Sequence, residues 1–139
     1  MHHKLSYLQY RTLIFAILGT AYILVFFHRL APAVVAVDMM ADLKTGGALM
    51  GILASAYFYP YALMQIPAGL LSDSWGPRRS IVFFFTIGAA GSIALALAHT
   101  VETAIAARVF VGLGVAMIFI PTLKILTHWY ERDRYVHMS

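Results

Sequence analysis

Long apolar stretches separated by short polar breaks organise this chain. A helix needs about 20 predominantly apolar residues to cross the hydrocarbon core of a bilayer. Four segments meet that length, at about residues 12–37, 47–71, 80–98 and 103–127. The breaks fall at residues 38–46, 72–79 and 99–102, and the segment after His128 is strongly charged. The pattern predicts an all-α membrane protein with four transmembrane helices and no soluble domain. The first stretch is longer than the apolar region of a signal peptide, and no small-residue cleavage pattern precedes a soluble domain. It is therefore expected to stay in the membrane.

Lipid tails are as apolar as the helices, so association within a bilayer depends on close van der Waals packing through small residues. Three spans offer such faces at four-residue spacing: Gly47, Gly51 and Ser55; Gly88, Ser92 and Ala96; and Ala104, Gly112 and Ala116, the last interrupted by Arg108. These faces are expected to meet other helices. Pro60 and Pro67 remove backbone donors from the second span and are expected to bend it, which neighbouring helices or cavity water can accommodate.

Composition agrees with the pattern. The chain has 61% hydrophobic and 12% charged residues and a mean hydropathy of +0.79, far from soluble averages. Its formal net charge of +4 is concentrated at the ends of the apolar stretches, so it reads as membrane orientation and not as a nucleic-acid surface. Lysine and arginine are retained on the cytoplasmic side. With the N-terminus inside, Lys4, Arg11, Arg78, Arg79, Lys124, Arg132 and Arg134 are cytoplasmic, Lys44 alone is external, and Arg29 and Arg108 lie within spans. Both termini and the turn at residues 69–79 are thus expected on the cytoplasmic face of a plasma or inner membrane. The absence of cysteine excludes disulfides, thiol chemistry and cysteine metal sites. His2 and His3 read as solvated residues with no third metal ligand at useful spacing. No carboxylate pair, nucleophile with base, or metal-ligand set occurs, so no enzyme, cofactor or metal site is expected.

Between the second and third stretches stands Gly69-Leu70-Leu71-Ser72-Asp73-Ser74-Trp75-Gly76-Pro77-Arg78-Arg79. Its glycine, leucine, aspartate, glycine and basic cluster resemble the signature loop of the major facilitator superfamily, with Ser74 and Pro77 standing where basic residues are common. The resemblance implies a gating role. Gly69 and Gly76 would let helix ends approach, Asp73 would meet a neighbouring helix N-terminus, and Arg78 and Arg79 would bridge to acids or lipid phosphates. The stretch from Arg108 to Ala116 is similar to the superfamily's intramembrane arginine followed by spaced glycines, here Gly112 and Gly114. An arginine inside a span costs at least ~2.5 kcal/mol unless it faces protein or water, so Arg108 is expected to point inward. The alternative is an interfacial arginine paired with Glu102. The resemblance makes Arg108 a candidate for coupling, with Val111 in place of a frequent glutamine.

The run from Arg29 to Met39 resembles the first helix of the anion:cation symporter and organophosphate-transporter branch, many members of which have asparagine where Ala31 stands. That likeness implies that Arg29, with Tyr22 seven residues earlier on the same face, contacts an anionic solute carrying phosphate or carboxylate. The alternative is an arginine anchored at the outer interface. Tyr57, Tyr61 and Gln65 recur at four-residue spacing on one helix face, either lining a wet cavity or packing between helices. His128 to Arg134 pairs interfacial aromatics with alternating charge, as expected of a chain leaving the membrane at its surface.

Extending over roughly residues 13–134, the resemblance implies transmembrane transport. The expected machine is a secondary transporter, a symporter driven by a proton or sodium gradient, for a small organic anion. The family fold sets two bundles of six helices around the solute. The chain thus reads as a partial N-terminal bundle of a major facilitator fold, a fragment not competent alone. Two alternatives stand beside it: a self-assembling four-helix membrane transporter, and a non-transporting membrane interaction protein. The expected partners are the lipid bilayer, the solute and its coupling ion, and the missing transporter half or a homologous chain, with no nucleic acid.

Overall fold

A computed structural model describes the backbone of residues 7–129 and the side chains of residues 9–127. Among the described residues the elements in order are α1 (Tyr7–Val34), α2 (Ala36–Asp42), α3 (Gly47–Ser74), α4 (Pro77–Ala96), α5 (Val101–Ala116) and α6 (Phe119–Trp129). The candidate membrane spans are four: α1, α3, α4 and the apolar run Val101–Thr127 formed by α5 with α6. The protein is a multi-pass integral membrane protein. The exit segment expected at 128–134, the charges Lys4, Arg132 and Arg134, and His2 and His3 have side chains outside the described residues.

Two of the expected spans are divided, and proline explains one division directly. Pro121 has no N–H, and its ring excludes the carbonyl four residues earlier, that of Met117. The helix accordingly opens into a turn at Met117 and Ile118 and resumes at Phe119. The first span ends at Val34, and the chain continues through Val35 into the short helix α2. Pro60 and Pro67 behave differently, since α3 runs through both.

The small-residue faces sort unequally. α5 is packed between α3 and α4, and glycine makes both seams possible. A Cβ on Gly114 would collide with the Gly88 backbone and the Phe84 carbonyl of α4, and one on Gly112 would collide with the Tyr57 carbonyl of α3. Gly91 adds a third close approach, its Cβ position lying 2.8 Å from Val111 N. Gly47 and Gly51 instead border open space, with nothing within 4 Å of a Cβ at either position. The reason is rotational: α3 turns Met50, Leu53, Ala56 and Tyr57 into the bundle, which leaves the Gly47, Gly51 and Ser55 stripe outside. α1 is the least enclosed span, with 11% of its apolar window buried against 50% for the α5 and α6 run.

At the shared end of α3 and α4 the connection is shorter than the sequence suggests. α3 extends to Ser74, leaving Trp75 and Gly76 to turn the chain. Gly76 takes φ +84, a conformation that disfavours any side chain, and Pro77 starts α4 with its preset φ. Buried Ser80 closes the turn, its one hydroxyl proton shared between the Gly76 carbonyl at 3.0 Å and the Leu71 carbonyl at 3.3 Å. At the other end, Thr100 and Thr103 form a reciprocal cap that starts α5.

Candidate functional site

Pro32 prepares the centre of the bundle. In a regular helix its N–H would bond the carbonyl of His28, but proline has none to give. Arg108 of α5 fills that place, donating from Nη1 to the His28 carbonyl at 2.9 Å. The guanidinium is 1% exposed and stands 5.1 Å from the centroid of the Tyr57 ring, a cation–π contact in a dehydrated setting. Arg108 therefore faces protein and sits away from the interfacial pairing with Glu102. Its Nε and the Tyr57 hydroxyl are buried without a hydrogen-bond partner. His28 reaches α4 as well. Ser92 Oγ lies 3.2 Å from His28 Nε2 and donates to the Gly88 carbonyl at 2.9 Å, which leaves the imidazole N–H as donor to serine.

Tyr57 also lines a small cleft. It is lined by Tyr22, Val25, Phe26 and Arg29 of α1, Tyr57, Phe58 and Tyr61 of α3, Val115 of α5, Ile118 and Phe119. Of the five residues singled out for solute contact, Tyr22, Arg29, Tyr57 and Tyr61 thus share one cleft. Gln65 does not join them: its Nε2 donates to the Tyr61 carbonyl of its own helix at 3.2 Å. The two tyrosines of α3 divide the alternatives between them. Tyr57 is buried in the core with Val25, Val111, Val115 and Ile118, whereas Tyr61 packs at the edge of that cluster. Their rings stack with centroids 6.0 Å apart. Arg29 is exposed, and its guanidinium lies 5.2 Å from the centroid of Phe58. A planar guanidinium fork set against the Phe58 ring, beside three tyrosines, can receive a carboxylate, sulfonate or phosphate bidentately.

The signature turn acquires a partner inside the chain. The resemblance places Asp73 against a neighbouring helix N-terminus; here its carboxylate pairs instead with Lys124, within α6. Lys124 Nζ also donates to the Gly69 carbonyl at 3.3 Å. With Asp73 72% exposed the pair contributes little stability, about 0–1 kcal/mol; its effect is to tie α6 to the turn. A Cβ on Gly69 would meet nothing within 4 Å, so the close approach assigned to that glycine is absent among the described residues, and the positive φ assigns the need for glycine to Gly76. Arg78 and Arg79 lie exposed in the first turn of α4.

Phe58, Phe119 and the His28 carbonyl escaped the sequence reading. A signal existed for the last: a proline four residues after His28 frees that carbonyl, and an intramembrane arginine elsewhere needs an acceptor. Nothing comparable marks Phe58 or Phe119 among nine phenylalanines.

Comparison with known proteins bears on this arrangement. The family model described as Major Facilitator Superfamily matches residues 13–139. A protein of Cupriavidus necator named "Probable sulfoacetate transporter SauU" is 24% identical over 119 residues, covering 86% of this chain and 28% of that protein. A "Quinolone resistance transporter" of Acinetobacter baumannii is 28% identical over 109 residues, 78% of this chain and 25% of that protein. A "Probable hexose phosphate transport protein" of Chlamydia trachomatis is 25% identical over 130 residues, 94% of this chain and 28% of that protein. The chain thus spans little more than a quarter of the length of these curated relatives. No solved structure matches it significantly.

Proposed function

This chain belongs to the Major Facilitator Superfamily, and we propose that it forms the first four spans of a secondary transporter whose solute is a small organic anion. The observation that carries this reading is the cleft in which Arg29 stands among Tyr22, Tyr57 and Tyr61. The names of two relatives, which specify sulfoacetate and hexose phosphate, support an anionic solute. The remaining helices of a longer protein supply the opposite wall, and a proton or sodium gradient drives the cycle, with Arg108 as the coupling candidate.

Uptake by cells expressing the complete coding sequence tests the anion assignment. Arg29→Met keeps an unbranched, flexible apolar stem and removes the charge-assisted hydrogen bonds, each worth about 1.5–3 kcal/mol. Anion uptake should fall about 10- to 100-fold while any neutral solute carried by the parent falls far less. Equal loss for both, or no loss for anions, would remove the basis for the proposal.

The same reading puts both termini and the Gly76 turn in the cytoplasm, following the lysine and arginine bias. These 139 residues contain no cysteine, so a thiol introduced into this chain is unique in it. Trp75→Cys and His99→Cys each place a thiol at an exposed position at opposite ends of α4. A membrane-impermeant maleimide should label His99→Cys in intact cells and Trp75→Cys only after permeabilisation. The reverse labelling pattern would invert the topology.

A further inference from the structure

The part of the cationic cleft that these helices enclose is small. It holds about 60 Å³, room for a few waters, whereas binding sites for small molecules run about 300–1,000 Å³. Among these helices, a head group seated at Arg29 leaves the rest of its molecule to the surfaces beside the cleft. Beside the cleft lies a groove of about 510 Å³ between α1 and α6, with Tyr22, Phe26 and Phe119 lining both. Tyr22 lies 5.4 Å from Phe26 and 6.2 Å from Phe119, centroid to centroid, so the three rings form a tilted aromatic collar at the junction.

Beyond that collar the chemistry changes. Leu18, Ile23 and Leu126 face the groove, and no charged side chain lines it. Gly19 widens it, since a Cβ there would meet nothing within 4 Å. Thr122 lines the groove too, but its hydroxyl is buried away from the surface, so the wall beyond Tyr22 is apolar. A cationic pocket that shares an aromatic collar with an apolar trough matches a molecule with an anionic head and an apolar body.

We propose that the groove receives the apolar body of the transported anion, which makes the substrate class an amphiphilic organic anion: a carboxylate, sulfonate or phosphate head carrying an aliphatic or aromatic body of several carbons. This rests on the anion assignment above and narrows it. Each methylene moved from water into the groove raises transport efficiency about fourfold, at about 0.8 kcal/mol per buried CH₂. Compact anions of the same charge gain nothing from the groove.

Labelled ethanesulfonate and 1-hexanesulfonate, offered to cells expressing the complete coding sequence, separate the possibilities. The parent protein should take up hexanesulfonate at least tenfold more efficiently. Gly19→Leu, which fills the groove from its open flank, should abolish that advantage and leave ethanesulfonate within twofold of its starting value. Ile23→Ser, at an exposed wall position, should reduce hexanesulfonate alone and serves where Gly19→Leu fails to accumulate. Arg29→Met should depress both sulfonates. Equal handling of the two by the parent overturns the amphiphile assignment. So does an equal effect of Gly19→Leu on both, as expected if a helix or lipid chain fills the groove. Undiminished uptake of both by Arg29→Met, or uptake of neither by the parent, overturns the anion assignment itself.

Discussion

Gly114→Val should leave the chain without a folded bundle. Overpacking a core costs typically about 1–3 kcal/mol because side chains shift to absorb the added atoms. No such relief exists at Gly114, where a Cβ would meet the backbone of Gly88 and the carbonyl of Phe84. Two helices must separate, and the α4 and α5 seam is lost with them. A destabilisation above ~3 kcal/mol is expected, in the range that unfolds marginal proteins. The control is Gly51→Val in the same 139-residue chain, since a Cβ at Gly51 meets nothing within 4 Å. Reconstituted in nanodiscs, Gly51→Val should keep the thermal midpoint of the parent and Gly114→Val should show no cooperative transition. A Gly114→Val protein that melts within a few degrees of the parent would show that the seam is not held closed by glycine.

Arg108→Met should destabilise the bundle by about 1–3 kcal/mol, the cost of leaving a buried acceptor unmet. The acceptor is the His28 carbonyl, which Pro32 denies its helical donor. Relief from burying the guanidinium itself works in the opposite direction, so the single substitution does not isolate the bond. A double-mutant cycle does. Pro32→Ala returns an N–H to the His28 carbonyl, so the penalty of Arg108→Met should shrink by about 1 kcal/mol or more in that background. Additivity of the two changes within about 0.5 kcal/mol would mean that proline and arginine act independently. The unfolding free energy in mild detergent, followed as denaturant rises, is the quantity to compare.

These two sites also show where reading the chain reached its limit. The position of Arg108 inside an apolar run required an inward direction, because the bilayer offers it no partner. Its acceptor, 80 residues away in sequence, needed the crossing of α1 and α5. Likewise Gly112 and Gly114 carry one pattern but serve two seams, one against α3 and one against α4. The equally regular stripe of Gly47, Gly51 and Ser55 serves neither, since periodicity marks a face without saying which face a neighbour takes. Resemblance ties Asp73 to a neighbouring helix N-terminus, yet a lysine side chain, Lys124, reaches it because α6 returns to the turn at the end of α3.

Membrane residence and the number of spans were legible in the sequence, because the bilayer imposes length and apolarity on every crossing helix and each crossing can be read from its own residues. Proline breaks and turn glycines are local for the same reason: they act on a carbonyl four residues away or on their own φ. Tertiary structure decided the rest. The grouping of Tyr22, Arg29, Tyr57 and Tyr61 without Gln65, the sharing of a collar between a charged cleft and an apolar groove, and the ion pair at the turn all depend on helix rotation and crossing. Those are set by close packing between distant segments, which no single stretch of the chain contains.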